Sequence, residues 1–171
     1  MPNIERLKKY NKIHMVGIGG VSMSGIAEIL INFGFTVTGS NNVESETTKK
    51  LEKAGIKVSI GHDEKNITNQ DVVVYSAAIK QDNPELVAAK SKNIPIIERA
   101  DFLGELTRCY KDTITISGTH GKSTTTSMVS LCFLEALKDP SIQVGADIKQ
   151  LDGNYKVGNS EYFIIEACEY V

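Results

Sequence analysis

Ser117-Gly118-Thr119-His120-Gly121-Lys122-Ser123-Thr124 stands between Thr113-Ile114-Thr115-Ile116, a run suited to a strand, and a stretch from Lys122 to Leu137 that predicts a helix. Two glycines in a strand-to-helix turn let backbone N–H groups close around phosphate oxygens, and the helix N-terminus adds partial positive charge. Lys122 brings a full positive charge to the terminal phosphates, and Ser123 offers a hydroxyl to Mg²⁺. Ile116 stands where the pattern G-x-x-x-x-G-K-[ST] has its first glycine, which leaves a tighter Gly-x-x-Gly-Lys-Ser loop. The stretch reads as an ATP loop on an α/β scaffold.

Upstream of it, strands alternate with helices. Ile13–Ile18 predicts a buried strand, followed by Gly19-Gly20 and a helix from Ser24 to Phe33 that Gly34 stops. Phe35–Thr38 predicts a second strand, Ser45 caps a helix reaching Ala54, and Gly55 ends it. Ile56–Ile60 and Asp71–Ser76 predict two more strands. Asn83-Pro84 opens a helix to Lys92, Ile94–Ile97 is a short strand whose Pro95 suits an edge or a strand start, and Asp101 caps a helix from Phe102 to Arg108. This order implies right-handed crossovers and a Rossmann-like, mostly parallel sheet with flanking helices, followed by the start of a P-loop-type α/β domain. A phosphate loop follows the first strand of its unit, so a boundary is expected near Tyr110-Lys111-Asp112. Residues 1–110 then form one domain, and 111–171 begin a second. Tyr162–Glu166 reads as a buried strand ending in a carboxylate. The roughly sixty residues of the second domain are too few for a doubly covered sheet, so a piece of a longer enzyme is expected.

Composition sets broad limits. Of 171 residues, 41% are hydrophobic, enough for a packed core, and 14 glycines suit a fold with many tight turns. With 19 basic and 21 acidic residues the net charge is −2, which points to neither a nucleic-acid nor a membrane surface. The apolar stretch from Met15 to Phe35 is broken by Glu28, Asn32 and glycines, and reads as strand, turn and helix rather than a membrane span. The N-terminus lacks the apolar core of a signal peptide. Cys109, Cys132 and Cys168 share no metal-ligand spacing and fit reduced thiols in a cytoplasmic protein.

A second glycine-rich turn, Gly17-Ile18-Gly19-Gly20-Val21-Ser22-Met23-Ser24-Gly25, comes close to G-x-G-x-x-G, with Ser22 in the third glycine's place. A dinucleotide site wants a carboxylate about twenty residues on to hold a ribose. Here Thr38-Gly39-Ser40-Asn41-Asn42 offers none, which argues against a nicotinamide oxidoreductase. Two anion-binding turns thus imply two phosphorylated ligands near each other, ATP with Mg²⁺ at the late turn and a diphosphate other than NAD at the early one. Glu166, at the end of a buried strand after the loop, is placed to bind Mg²⁺ directly or through water.

Together these residues resemble the Mur ligases, ATP-dependent enzymes that build the peptide stem of bacterial cell-wall precursors. The likeness rests on Gly17–Ala27, Ser76-Ala77-Ala78-Ile79, Asp82-Asn83-Pro84-Glu85, Arg99-Ala100 and Gly118–Thr126, and it covers essentially the whole chain. The His120 form of the loop is that of the branch joining L-alanine to UDP-N-acetylmuramate, and of the related ligases that use a preformed peptide. The resemblance implies that the substrate carboxylate takes the γ-phosphate of ATP to become an acyl phosphate, which the amine then attacks. It assigns Gly118, Thr119, His120, Gly121, Lys122, Ser123 and Thr124 to ATP, and Ser123 and Glu166 to Mg²⁺, with Lys122 and Glu166 as the catalytic pair. It assigns Gly19, Gly20, Ser22, Met23, Ser24, Ser40, His62 and Ser76 to the UDP-sugar. His14, mid-strand, is expected to be a packed residue with a satisfied ring.

Three positions depart from the family pattern: Ser22 for glycine, Asn41 for the aspartate of many relatives, and Cys168 for aspartate in the Glu-Ala-Asp-Glu segment. Ser22 predicts a helix slightly farther from its strand. A different class of protein, a UDP-sugar-binding module that never catalyses, shares the early turn. Nucleotide binding without turnover is the expected behaviour of this chain on either reading.

Overall fold

The computed structural model describes residues 2–151 and 153–167. Its contacts divide the chain into two compact units, Leu7–Leu103 and the chain from Gly104 onward with the residues up to Arg6.

The first unit is a five-stranded parallel sheet. Its strands are β1 (Lys12–Val16), β2 (Thr36–Asn41), β3 (Lys57–Ile60), β4 (Val72–Tyr75) and β5 (Ile96–Glu98), in the order β3-β2-β1-β4-β5. The order reverses at β1, whose neighbours β2 and β4 lead away in opposite directions. In such sheets ligands bind beyond the carboxyl ends of the strands at that crevice. Helix α1 (Val21–Asn32) packs on β2 and on α2 (Glu46–Lys53). Gly34 and Gly55, at φ of +87° and +93°, end these two helices as expected. Ser45 and Thr48 close a reciprocal capping box on α2.

Side chains alternate across the sheet, so His14 and Val16 share one face with Thr38, Ser40, Val73 and Tyr75. Helix α3 (Pro84–Ser91), capped by Asn83, belongs to this face. Leu86, Ala88 and Ala89 join Val16, Ile67 and Val73 in one apolar cluster.

Two expectations are corrected here. Strand β2 continues through Gly39, Ser40 and Asn41, because pairing with both neighbours (Val16↔Ser40 and Asn41↔Ile60) outweighs the turn preference of those residues. Helix α4 spans Arg99–Thr107, so Asp101 sits inside its first turn rather than capping it. A carboxylate is favourable there against the helix dipole.

The second unit holds β6 (Asp112–Ile116), α5 (Lys122–Glu135), β7 (Ser141–Ile148), β8 (Gly153–Lys156) and β9 (Tyr162–Glu166), with sheet order β6-β9-β7-β8. β6, β9 and β7 are parallel, and β8 returns antiparallel to β7. Helix α5 packs on β6, β7 and β9, and Leu134 covers Ile142, Val144 and Ile148. The Tyr110 ring lies 4.7 Å from that of Phe163, and its hydroxyl donates to Ser141 at 2.9 Å. Burial pushes the Tyr110 phenol up to about 12, against the opposing pull of Ser141.

Candidate functional site

The early glycine turn leaves the end of β1 and folds back over β2. The amides of Gly17 and Ile18 both donate to the Ser40 carbonyl, at 2.9 and 3.0 Å. Gly17 has φ +82°, which favours glycine, and a Cβ on it would press on that of Ser76 at 3.3 Å. Ser76 is held in turn by its amide on the Val16 carbonyl at 3.2 Å. Asn41 Oδ1 accepts from the Gly19 amide at 3.3 Å, while Asn41 Nδ2 donates to the Val43 carbonyl at 2.8 Å. An aspartate could not make both bonds, so the departure at this position has a local role: it staples the turn to the next loop. α1 then starts at Val21 with Gly20 as N-cap and no side chain capping it, which leaves its first turn suited to an anion.

Gly19, Gly20, Ser22, Ser40, His62 and Ser76 therefore gather at the carboxyl ends of β1, β2, β3 and β4. Met23 and Ser24 lie with the core instead, 1% and 3% exposed, and the Ser24 hydroxyl donates to the Val21 carbonyl. Ser40 and His62 are tied below the turn. The Ser40 hydroxyl donates to Glu85 Oε2 at 2.6 Å, and His62 Nδ1 lies 2.8 Å from the same oxygen. His14 is buried as expected, with Nδ1 2.8 Å from the Thr38 hydroxyl and Nε2 3.3 Å from Glu85 Oε1.

Two residues that the sequence marks only as parts of family motifs are functional candidates in the fold. Glu85 is fully buried and is the hub of these contacts. Burial works to raise its pKa, but the hydrogen bonds from His14, Ser40 and Asn66 outweigh that and hold the carboxyl below its ordinary value. Arg99, at the end of β5, places Nη1 3.2 Å from the Ser22 hydroxyl and so brings a positive charge to the turn. The available signal for both was their place in stretches that carry the family resemblance, Asp82-Asn83-Pro84-Glu85 and Arg99-Ala100, which gave neither residue a role at the site.

The late loop leaves β6 and opens α5. Gly118 and Gly121 have φ of +154° and +75°, and Gly121 is an N-cap with no side-chain cap on the helix. Ser117 to Gly121 are exposed, His120 included, and Lys122 Nζ donates to the Gly118 carbonyl at 2.6 Å. Glu166 ends β9 opposite Ile116, the last strand residue before the loop, and Glu166 Oε1 is buried without a hydrogen-bond partner. A cavity of about 380 Å³ lies beside the loop, with Ser123, Thr124 and Ser127 on one wall and Asp147, Lys149 and Gln150 on the other. Glu166 does not line it. Among the described residues no three His, Cys, Asp or Glu side chains form a metal cluster. Cys168 lies outside the described residues.

The family profile described as Mur ligase family, catalytic domain, matches residues 12–111, well over half of the chain. The chain belongs to the Mur ligase family. A UDP-N-acetylmuramate–L-alanine ligase of Acetivibrio thermocellus is 53% identical to this Mur ligase chain over 163 residues, covering 95% of it and 35% of the relative. One of the same name from Caldicellulosiruptor bescii is 56% identical, covering 94% and 35%. Among solved structures, the MurC of Thermotoga maritima superposes with a TM-score of 0.85 at 38% identity, covering 91% of this chain and 36% of that one. An MPL ligase from Neisseria meningitides gives 0.86 at 28% identity, covering 94% and 53%. The chain spans about a third of the length of the curated relatives it matches.

Proposed function

We propose that this Mur ligase chain carries the nucleotide-binding turns of an ATP-dependent enzyme of peptidoglycan precursor synthesis, which joins L-alanine to the carboxylate of UDP-N-acetylmuramate in the cytoplasm. In this reading residues 1–110 hold the UDP-sugar and residues 111–171 open the ATP-binding domain. The observation that carries it is the late loop, a glycine-lined helix start beside a strand that ends in a carboxylate with one buried, unpartnered oxygen, in a chain more than half identical to ligases of that name.

A carboxylate resists attack by an amine until one of its oxygens becomes a good leaving group, and ATP with Mg²⁺ supplies the phosphoryl group that makes it one. The residues present fit that pair: the unpartnered oxygen of Glu166 and the hydroxyl of Ser123 are hard oxygen donors of the kind Mg²⁺ takes. The chain's own part is electrostatic. Lys122 and the loop amides from Gly118 to Thr124 offset the charge that builds up when two anions are brought together. At the early turn, the start of α1 and the Arg99 guanidinium hold the diphosphate, which lies against Gly19 and Gly20. Ser22 and Ser76 flank it, and Met23, Ser24, Ser40 and His62 back it.

A murein-peptide ligase is the second reading, favoured by the superposition on the Neisseria MPL enzyme. The higher identity to the L-alanine ligases supports the first. Calorimetry with UDP-N-acetylmuramate tests the proposal: one saturable site per chain is expected, and no heat from a folded sample overturns it.

A further inference from the structure

Glu85 receives hydrogen bonds from four side chains on four different segments. Oε1 faces His14 Nε2 at 3.3 Å and Asn66 Nδ2 at 2.7 Å, and Oε2 faces the Ser40 hydroxyl at 2.6 Å and His62 Nδ1 at 2.8 Å. An ionised carboxylate has about four acceptor sites and no donor, so all four partners must donate. The single hydroxyl hydrogen of Ser40 is committed to Oε2, so it is not available to His62. The hydrogen between Oε2 and His62 therefore sits on Nδ1, and the one between Oε1 and His14 sits on Nε2. His14 Nδ1 then accepts from the Thr38 hydroxyl, 2.8 Å away. One carboxylate thus sets opposite tautomers in two rings, and it leaves His62 Nε2 as an enclosed acceptor with no hydrogen-bond partner.

We propose that Glu85 is a positioning residue for the sugar-nucleotide site: it locks the His62 ring with Nδ1–H on its own carboxylate, so that the enclosed, unpartnered Nε2 is left to accept a hydrogen bond from a hydroxyl or imide N–H of a ligand that closes over it. This rests on the reading of the early turn as a UDP-sugar site. The backbone links make the coupling direct. Ser40, which shares Oε2 with His62, carries the carbonyl that anchors Gly17 and Ile18, and the Gly61 amide before His62 donates to the Asn41 carbonyl at 2.8 Å. A partner that accepts, such as a phosphate oxygen, would need a proton on Nε2 and is not what this tautomer serves.

The chain has only three histidines, so ¹⁵N NMR of its imidazoles is readable ring by ring. Near neutral pH the wild type is expected to show one ring fixed as Nδ1–H and one as Nε2–H, the former missing in His62→Asn. Adding UDP-N-acetylmuramate should move the Nε2 resonance of His62 while the ring stays neutral. Glu85→Gln should lose both fixed tautomers and bind the sugar nucleotide about tenfold more weakly, one hydrogen bond's worth, with ATP affinity unchanged. His62→Asn keeps a donor where Nδ1–H stood and removes Nε2. It should fold and show the same tenfold loss, which keeps the proposal testable should Glu85→Gln fail to fold.

His62 found as Nε2–H or doubly protonated in the complex, or wild-type affinity in either variant, overturns the proposal. The fixed tautomers in a wild type that binds no UDP-sugar would instead overturn the reading of the site, and the positioning role with it, while the tautomer lock stands.

Discussion

The Glu166 carboxylate fills the space over Gly145: a Cβ on Gly145 would lie 2.6 Å from Glu166 Oε2. The neighbour that must yield is the far end of a flexible side chain, not backbone. Gly145→Ala should therefore fold nearly as well as the wild type, while its Glu166 turns away from the end of β6. The expected outcome is a melting temperature within a few degrees of wild type and about tenfold weaker binding of MgATP, read by thermal shift and calorimetry. Unchanged MgATP affinity would count against a metal role for Glu166.

Lys122 Nζ reaches back to the Gly118 carbonyl across its own loop. Replacing it removes the only full positive charge on the stretch from Ser117 to Thr124. Lys122→Ala should weaken triphosphate binding by about 10- to 100-fold, the value of one charge-assisted hydrogen bond. UDP-N-acetylmuramate affinity should stay within about twofold, since the early turn lies in the other compact unit. Parallel titrations of the two ligands check this, and equal loss of both would mean that one site, not two, takes the phosphates.

Glu85 gives stability a defined pH dependence. Its folded pKa lies below the ordinary 4.5, because hydrogen bonds from His14, Ser40 and Asn66 outweigh the opposing effect of burial. A depressed carboxyl contributes its full stability above the unfolded value and loses it as pH falls through the folded one. Urea midpoints measured from pH 7 downward should hold and then fall below about pH 4.5. Asp71 and Asp139 are lowered too and slope the same way, so the diagnostic quantity is the difference from Glu85→Gln. That variant should be less stable by about 2–4 kcal/mol at pH 7, with the gap closing in acid.

Gly39 marks where the early turn presses closest on the sheet. A Cβ there would lie 2.5 Å from Ile18 Cδ1 and 2.8 Å from the Met15 carbonyl, and the carbonyl cannot move without breaking the sheet. Gly39→Ala should cost about 1–3 kcal/mol in chemical denaturation and loosen the turn enough to weaken UDP-sugar binding.

Local chemistry was legible in the sequence wherever one residue decides the outcome. Gly34 and Gly55 stop their helices, Asn83-Pro84 starts one, and Gly121 opens α5. Both glycine turns were visible for the same reason. Pairing was not visible: Gly39-Ser40-Asn41 carries turn formers, yet β1 and β3 hold it as strand. Strands β7 and β8 went unread because their partners lie across β9 and a return. Glu85 looked like an ordinary first-turn acid, since its burial depends on His14, 71 residues away. Asn41 stood in the sequence only as a departure from the aspartate of many relatives, and only the fold shows its amide bridging Gly19 and Val43.

A crystal structure of the chain with UDP-N-acetylmuramate and a non-hydrolysable ATP analogue tests the two-site reading most directly. The expected map has the diphosphate against Gly19 and Gly20 at the start of α1, and the triphosphate over Gly118 to Ser123. A diphosphate found elsewhere, with the early turn empty at saturating ligand, would contradict it.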